Sequence, residues 1–192
     1  GCLSFNGNKI ITTGGGGMIL TNAEEVAEKA RYLTTQAKDD SRWYIHNEIG
    51  YNFRLTNIQA ALGLAQLEQM PVFLEHKREI FNRYQTEVEN IVGLRLAGVP
   101  DFADNNHWMN ILQIESEAYG KDRESLMHRL EVNSIQTRPV WVLNHLQKPY
   151  MDCQSFKIER AGELVTKSLS LPSSSSLTND EINNVITQLV NK

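Results

Sequence analysis

A run of four glycines at positions 14–17 constrains this chain more than any other feature, because backbone without Cβ atoms can approach another backbone or a bulky group closely. Before the glycines come the turn-forming residues 6–8 (Asn-Gly-Asn), then Lys9, then the β-branched run 10–13. The pattern predicts a turn that presents Lys9 at the edge of a strand formed by that run. A lysine held in this way, with the Ser4 hydroxyl nearby, suits a Schiff-base amine beside a phosphate site.

A plainer interpretation of Lys9 stays open, since most lysines are solvated surface charges. The glycine run is not a P-loop, which requires Gly-Lys followed by Ser or Thr, because Met18 follows the glycines. The chain also lacks a Gly-x-Gly-x-x-Gly motif between a strand and a helix, so the residues by themselves indicate no nucleotide-binding loop. Spacing alone therefore does not decide between the two interpretations.

Four segments, in order along the chain, resemble the DegT/DnrJ/StrS family of sugar aminotransferases: residues 4–17, 50–64, 138–141 and 169–172. Within that family the chain is most similar to members that aminate a nucleotide-linked 4-keto-6-deoxy hexose, including the bacterial enzymes of legionaminic acid or bacillosamine synthesis. The resemblance covers essentially the whole chain. Gly15 departs from the family pattern, because many relatives carry Glu there, and this weakens any role carried over to that side chain.

The resemblance implies pyridoxal 5'-phosphate as the cofactor, with Lys9 as the catalytic lysine that links to it. It implies that the Ser4 hydroxyl donates to the cofactor phosphate. Asn52 is expected to reach the phosphate of the neighbouring subunit's cofactor, so that the protein is a homodimer with shared active sites. Structural roles stay open beside these, namely a turn-stabilising hydroxyl for Ser4 and an Asx turn before a helix for Asn52.

Arg138, Trp141 and His145 are expected to line the sugar-nucleotide pocket, where the arginine fork suits a diphosphate. A structural Arg138 paired to a carboxylate is the alternative. The resemblance implies transamination of a nucleotide-linked keto sugar of the UDP-4-keto-6-deoxy-HexNAc type, with glutamate as the amino donor, for bacterial surface-glycan synthesis. Two other functions stay open: a truncated or split subunit without catalysis, and a pyridoxal enzyme of another reaction type. Lys9 argues against the family's sugar 3-dehydratases, which carry histidine at this position.

The implied fold class is α/β, the C-terminal half of a fold-type I (aspartate aminotransferase-like) enzyme. Residues 1–92 would form the end of the large cofactor-binding domain with a long connecting helix, and residues 93–192 a small α+β domain. The chain begins with Gly1, and neither a phosphate-binding helix nor a partner for the cofactor ring nitrogen precedes Lys9. We therefore expect the printed chain to be part of a longer protein and to be inactive alone.

Hydrophobic periodicity and capping boxes predict the individual elements. Helices are expected at 23–37 with Asn22 as N-cap, from 57 to about 90 with a kink or break at Pro71, at 122–132, at 155–168, and after a capping box at 178–181. The apolar residues of the helix that starts at 57 occupy more than one face, which predicts burial. Strands are expected at 108–115 and at 134–142, where Pro139 favours a sheet edge or a strand end.

Composition excludes several classes of function. The 192 residues carry a net charge of −4 with scattered basic residues, so no nucleic-acid partner is expected. No apolar run approaches the roughly 18 residues of a membrane span, and no signal peptide is visible. The two cysteines, Cys2 and Cys153, lie far apart without metal-ligand spacing, which predicts free thiols in a reducing cytoplasm and no metal site.

Overall fold

The computed structural model describes residues 1–191. By internal packing the chain divides into two compact units, Gly1–Val72 and Phe73–Lys192. This division falls before the domain boundary predicted near residue 92, and that boundary stays a prediction for the whole protein. Within the described residues, no helix combines the length and apolar character that a bilayer span requires.

The first unit begins with a short antiparallel pair. Strand β1, Cys2–Ser4, pairs with β2, Gly17–Ile19, in a register that places Leu3 opposite Met18. The predicted strand at residues 10–13 is wrong, because these residues form part of the loop that joins β1 to β2. Their polar groups bond within that loop and to a glutamine side chain instead of to a neighbouring strand.

Two helices follow in the first unit, α1 at Glu24–Thr34 and α2 at Asn57–Glu68. The capping box predicted for α2 is confirmed: the Thr56 hydroxyl accepts from the Gln59 N–H, and the Gln59 side chain accepts from the Thr56 N–H. The N-cap predicted at Asn22 is wrong. Ala23 occupies the cap of α1, because the Thr21 hydroxyl bonds the Ala23 N–H in a local turn.

The surface of α2 contradicts the predicted burial. Every residue of this helix is exposed or half-buried in the chain, and its large apolar side chains include Ile58, 84% exposed, Leu64 and Leu67. Apolar side chains on more than one face are typical of a helix covered on several sides. The first unit does not supply such cover for α2.

Helix α3, Met70–Val88, follows α2 after Gln69. The break predicted near Pro71 is confirmed, because proline lacks the N–H that would continue the hydrogen bonding of α2 and is tolerated in the first turn of a new helix. Nearly all of α3 belongs to the second unit. Lys77, Ile80, Tyr84 and Val88 are its buried residues, a spacing that places them along one helix face.

The second unit contains a four-stranded antiparallel sheet of order β3-β4-β6-β5, with strands Leu94–Leu96, Asn110–Ile114, Ser168–Leu171 and Arg138–Pro139. Its further helices are α4 at Ser116–Tyr119, α5 at Arg123–Val132, α6 at Ala161–Lys167 and α7 at Asn179–Val190, with 3-10 turns at Asn144–Leu146 and Lys148–Tyr150. The two predicted strands are thus found, the second in shortened form. Proline places β5 at the sheet edge, as predicted.

One hydrophobic core holds the second unit together. The apolar residues of β3, β4 and β6 pack with the buried faces of α3, α5 and α7, and the side chains of Leu112, Leu126 and Leu189 are fully buried. Gly93 allows α4 to come close, since an added Cβ would lie 2.3 Å from the Tyr119 nitrogen. The core therefore depends on α3, which precedes the predicted domain boundary.

Candidate active site

Lys9 ends a tight turn in the loop between β1 and β2. Its backbone N–H donates to the Asn6 carbonyl at 3.0 Å, and the Asn6 amide group donates to the Asn8 side-chain oxygen at 3.4 Å. The Ser4 hydroxyl oxygen accepts from the Asn6 N–H at 3.4 Å. Ser4 is exposed and Lys9 is half-buried. The predicted turn that presents Lys9 is therefore confirmed, and the serine hydroxyl bonds within the same turn.

Phe5, the first residue after β1, joins the start of this loop to its end. Its N–H donates to the Gly16 carbonyl at 3.0 Å, and its own carbonyl accepts from the Thr13 N–H at 3.1 Å and from the Thr12 hydroxyl at 2.9 Å. The Thr12 N–H also donates to the Gln66 side-chain oxygen of α2 at 2.8 Å. These bonds hold residues 10–13, which directly follow Lys9, against Phe5 and α2.

The last residue of the glycine run, Gly17, lies very close to the backbone of β1. An added Cβ at Gly17 would lie 2.5 Å from the Leu3 carbonyl oxygen of β1, whereas at Gly14 and Gly15 it would meet nothing within 4 Å in the described part of the chain. Gly63 of α2 shows the same closeness, 2.8 Å from the Thr13 methyl group. The predicted close backbone approach is thus confirmed for Gly17. The side chain missing at Gly15 would point into open space.

Asn52 lies on the first unit at an isolated antiparallel bridge with Thr35, just after α1. Its side chain is exposed and lines a cleft together with β2, α1 and the start of α2, including Gly17 and Gln59. The lining residues of this cleft do not include Ser4 or Lys9. The structure therefore brings Asn52 to the β1–β2 hairpin, in a cleft that does not contain the other two predicted cofactor residues.

The loop between α1 and α2 is organised by two aspartates. The Asp39 carboxylate accepts from the Asn47 N–H at 2.7 Å and from the Tyr32 hydroxyl at 3.0 Å, and the backbone hydrogen bond from Asn47 is the main reason that the pKa of this carboxyl is lowered. Asp40 accepts from the N–H groups of Arg42 and Trp43 at 2.8 Å. Local acceptors thus shape a loop that lacks regular secondary structure over most of its length.

The three predicted substrate residues belong to the second unit. Arg138 is exposed on the edge strand β5, opposite Ser170. Trp141 is 63% exposed, and its ring stacks on that of Trp108 with 6.4 Å between centroids and 28° between planes. His145 is half-buried in the 3-10 turn Asn144–Leu146. The six predicted site residues are therefore divided equally between the two units.

A lysine that the sequence analysis did not single out lies inside the second unit. Lys77 is 5% exposed, and its ammonium group donates to the Trp108 carbonyl at 3.2 Å and to the Ser173 carbonyl. A signal for it existed, because Lys77 precedes Ile80, Tyr84 and Val88 on the apolar stripe of α3. Among residues 1–191, no group of three or more His, Cys, Asp or Glu side chains could hold a metal ion.

Residues 1–190 match the model of the DegT/DnrJ/EryC1/StrS aminotransferase family. EpsN of Bacillus subtilis (strain 168), provisionally named a pyridoxal phosphate-dependent aminotransferase, is 38% identical over 196 residues, which cover 99% of this chain and 49% of EpsN. The GDP-perosamine synthase of Escherichia coli O157:H7 is 38% identical over 180 residues, which cover 93% of this chain and 48% of that protein. The chain thus spans about half the length of the curated relatives it matches.

A solved structure supports the same assignment. The crystal structure of the aminotransferase TlmJ from Streptoalloteichus hindustanus superposes with a TM-score of 0.86 at 25% identity, covering 98% of this chain and 50% of that one. The predicted α/β fold class of a pyridoxal phosphate-dependent aminotransferase is therefore confirmed. The family match covers residues 1–190 and the superposition covers 98% of the chain. The chain therefore belongs to the DegT/DnrJ/EryC1/StrS aminotransferase family.

Proposed function

We propose that this protein transfers an amino group to the keto carbon of a nucleotide-linked sugar, with pyridoxal 5'-phosphate as cofactor and glutamate as amino donor. The observation that carries the proposal is the hydrogen-bonded turn ending at Lys9, found within a family match over residues 1–190. The names of the relatives agree with it. Three are GDP-perosamine synthases at 38%, 35% and 30% identity, and another, at 28%, is a dTDP-4-dehydro-2,3,6-trideoxy-D-glucose 4-aminotransferase.

The side chains of the first unit fit this cofactor chemically. A primary amine condenses with an aldehyde, and hydroxyl and amide groups donate hydrogen bonds to a phosphate. When bound, pyridoxal phosphate stabilises negative charge on the substrate carbon. Lys9 would hold the cofactor and then move the proton at that carbon with its amine. The Ser4 oxygen accepts from Asn6, which leaves the hydroxyl proton for the phosphate.

The second unit would hold the sugar nucleotide. The Arg138 guanidinium is exposed at a sheet edge, where its fork can donate two parallel hydrogen bonds to a diphosphate. Trp141 offers an exposed aromatic face to a sugar or base ring, and His145 provides a ring nitrogen close by in sequence. Each of these side chains binds or orients the substrate in the proposal, whereas the reacting carbon is served by Lys9.

The test of the cofactor assignment uses the full-length protein encoded by the gene. Borohydride reduction in the presence of pyridoxal phosphate should attach the cofactor irreversibly to Lys9, which peptide mapping identifies. Lys9→Ala should abolish the labelling and lower turnover by about a hundredfold or more. Lys29→Ala is the matched control, because Lys29 lies in the same unit and forms an ion pair with Glu48. A label on any other lysine contradicts the assignment of Lys9.

The nucleotide is tested with three substrates that share one 4-keto sugar. The family resemblance implies a UDP-linked sugar, whereas the names of two relatives carry GDP and dTDP. The value of kcat/KM for UDP-, GDP- and dTDP-linked 4-keto-6-deoxy hexoses, each with glutamate as donor, ranks the three. Amination of none of the three would refute the proposed substrate class.

We propose further that the protein acts as a homodimer in which Asn52 completes the partner's cofactor site. The exposed apolar surface of α2, next to the loop that carries Asn52, supports this arrangement. Subunits with Lys9→Ala and subunits with Asn52→Ala should each be inactive, and equal mixing should restore about a quarter of the native activity, since half of the dimers are mixed and each has one native site. Subunit exchange without any recovery of activity contradicts shared sites.

A further inference from the structure

Lys77 is buried although it is charged. It is 5% exposed, and burial lowers the pKa of its ammonium group. Within residues 1–191 no carboxylate forms an ion pair with it. A buried unpaired charge is costly, and a residue such as Met would fill the same space without that cost. What the ammonium does, and Met could not do, is donate to the carbonyls of Trp108 and Ser173.

These two carbonyls lie where the β4–β6 pairing stops. The last paired residues are Asn110 and Leu171, and Pro172 follows. Beyond this pair, the Lys77 ammonium and the Ser173 hydroxyl both donate to the Trp108 carbonyl, the hydroxyl at 3.0 Å. Lys77 and Ser173 together therefore fix the backbone of Trp108.

The fixed backbone carries an indole that supports a second one. Trp108 is half-buried, and its ring stacks on that of Trp141 at a centroid distance of 6.4 Å. Trp141 has 63% of its surface exposed and lies on a segment without regular structure after β5. Such segments are more mobile than the helices and strands they connect, so the contact with Trp108 restrains this ring. The orientation of the Trp141 ring thus depends on where Trp108 is held.

We propose that Lys77 is a positioning residue of the substrate site: through the backbone of Trp108 it holds the indole on which Trp141 rests. This inference rests on the proposed function, in which Trp141 contacts the ring of the sugar nucleotide. Lys77 itself touches neither the substrate nor the cofactor. Its loss should therefore weaken substrate binding and leave the proton-transfer step at Lys9 intact.

The first experiment measures the Trp108–Trp141 pair in the chain of residues 1–192. Two stacked indoles give a coupled circular dichroism signal, which is identified as the difference between the native spectrum and that of Trp141→Phe. Lys77→Met should lose this signal, Lys77→Arg should keep part of it, and Ser173→Ala should weaken it. Ser173→Ala also serves if Lys77→Met does not fold, because it removes one bond to the Trp108 carbonyl and keeps the lysine.

Tyr84→Phe is the matched control. Like Lys77, Tyr84 is buried on α3 and donates to a carbonyl at the end of β6, that of Pro172, at 3.1 Å. Its single hydroxyl proton goes to Pro172 and not to the Trp108 carbonyl, so Tyr84→Phe should lower stability and leave the coupled indole signal unchanged. A signal that survives in both Lys77→Met and Ser173→Ala, or is lost equally in Tyr84→Phe, overturns the proposal.

The second experiment measures kinetics in the full-length protein. Lys77→Met should raise KM for the nucleotide sugar about tenfold, as Trp141→Ala should, and change kcat and KM for glutamate little. Tyr84→Phe should leave KM unchanged. If Lys77→Met behaves like Tyr84→Phe while the native enzyme is active, the positioning role is wrong and the proposed function stands. If no nucleotide sugar is aminated, the proposed function fails, and with it the substrate part of this inference, whereas the dichroism still decides whether Lys77 holds the indole pair.

Discussion

At position 17 the hairpin has no room for a single added carbon. The carbonyl of Leu3 would lie 2.5 Å from a Cβ on Gly17, and a paired backbone cannot move aside as a flexible side chain can. Gly15, two residues earlier, would place its Cβ where no described atom lies within 4 Å. We therefore expect Gly17→Ala to destabilise the β1–β2 pair by about 1–3 kcal/mol and Gly15→Ala to leave it intact.

Hydrogen exchange of two amides measures this difference. The Phe5 N–H bonds the Gly16 carbonyl and the Leu20 N–H bonds the Gly1 carbonyl, so the two hydrogen bonds lie on either side of Gly17 in the hairpin. Both should exchange faster in Gly17→Ala and at the native rate in Gly15→Ala. Equal protection in the two variants would show that the hairpin accommodates the methyl group at position 17 without loss of stability. The same experiment with Gly15→Glu tests whether the family's usual residue is tolerated at this position.

Individual residues were predictable from the sequence where the deciding contacts are local. The Asn-Gly-Asn turn before Lys9 needs only neighbouring backbone groups, and it is present. The strand expected at residues 10–13 failed because its backbone bonds a glutamine of α2, more than fifty residues away in sequence. Lys77 was missed for a different reason: a lysine is treated as a surface residue even when its spacing matches the apolar stripe of its helix.

Helix α7 shows what a capping box contributes to one element. The Glu181 N–H donates to the Thr178 hydroxyl at 3.3 Å, and the Glu181 carboxylate accepts from the Thr178 N–H at 2.8 Å. This second bond is the main reason that the pKa of the Glu181 carboxyl is lowered. Thr178→Ala should lower the free energy of unfolding by about 1 kcal/mol in urea titrations. An unchanged value would mean that water replaces the cap without loss.

The charge of Glu181 makes the stability of α7 depend on pH, and the direction of the lowered pKa gives the sign. Because the folded pKa lies below the ordinary value of 4.5, the stabilising contribution is complete above pH 4.5 and is lost as pH falls through the folded value. Glu181→Gln keeps an oxygen acceptor and removes the titration. The stability difference between the native chain and this variant should therefore shrink on acidification. A difference that is constant across this range would assign the cap to the hydrogen bond alone.

The type and start of a helix were more predictable from the sequence than the burial of its surface. The capping boxes at Thr56 and Thr178 are signals within four residues, and both helices begin there. The cap predicted at Asn22 is wrong, because α1 begins one residue later, after Ala23, whose N–H bonds the Thr21 hydroxyl in a local turn. The burial predicted for α2 depends on what covers the helix, and periodicity carries no information about which chain supplies that cover.

For the whole molecule, the order of most elements was predictable from the sequence, whereas the domain boundary near residue 92 stays a prediction. Within this chain, packing separates Gly1–Val72 from Phe73–Lys192. The reason is α3, whose buried side chains Ile80, Tyr84 and Val88 belong to the core of the second unit. A helix between two units needs an apolar face to pack against either of them. Its apolar periodicity therefore does not reveal to which unit the helix belongs.

The last prediction compares two fragments that differ by residues 73–92, which contain most of this helix. Residues 73–192 keep α3 from its fourth residue onward and should unfold cooperatively in urea. Residues 93–192 lose Ile80, Tyr84 and Val88, which are at most 3% exposed, together with the bonds from Lys77 and Tyr84 to the β6 end. Removing buried apolar side chains costs about 2–5 kcal/mol each, so three together match the roughly 5–15 kcal/mol that stabilises a whole domain. The shorter fragment should therefore lack cooperative unfolding and fixed near-ultraviolet dichroism.

A 73–192 fragment with Ile80→Asp provides the control, since it keeps the length of α3 and removes its packing. Cooperative unfolding of residues 93–192 would instead support the boundary predicted from the sequence.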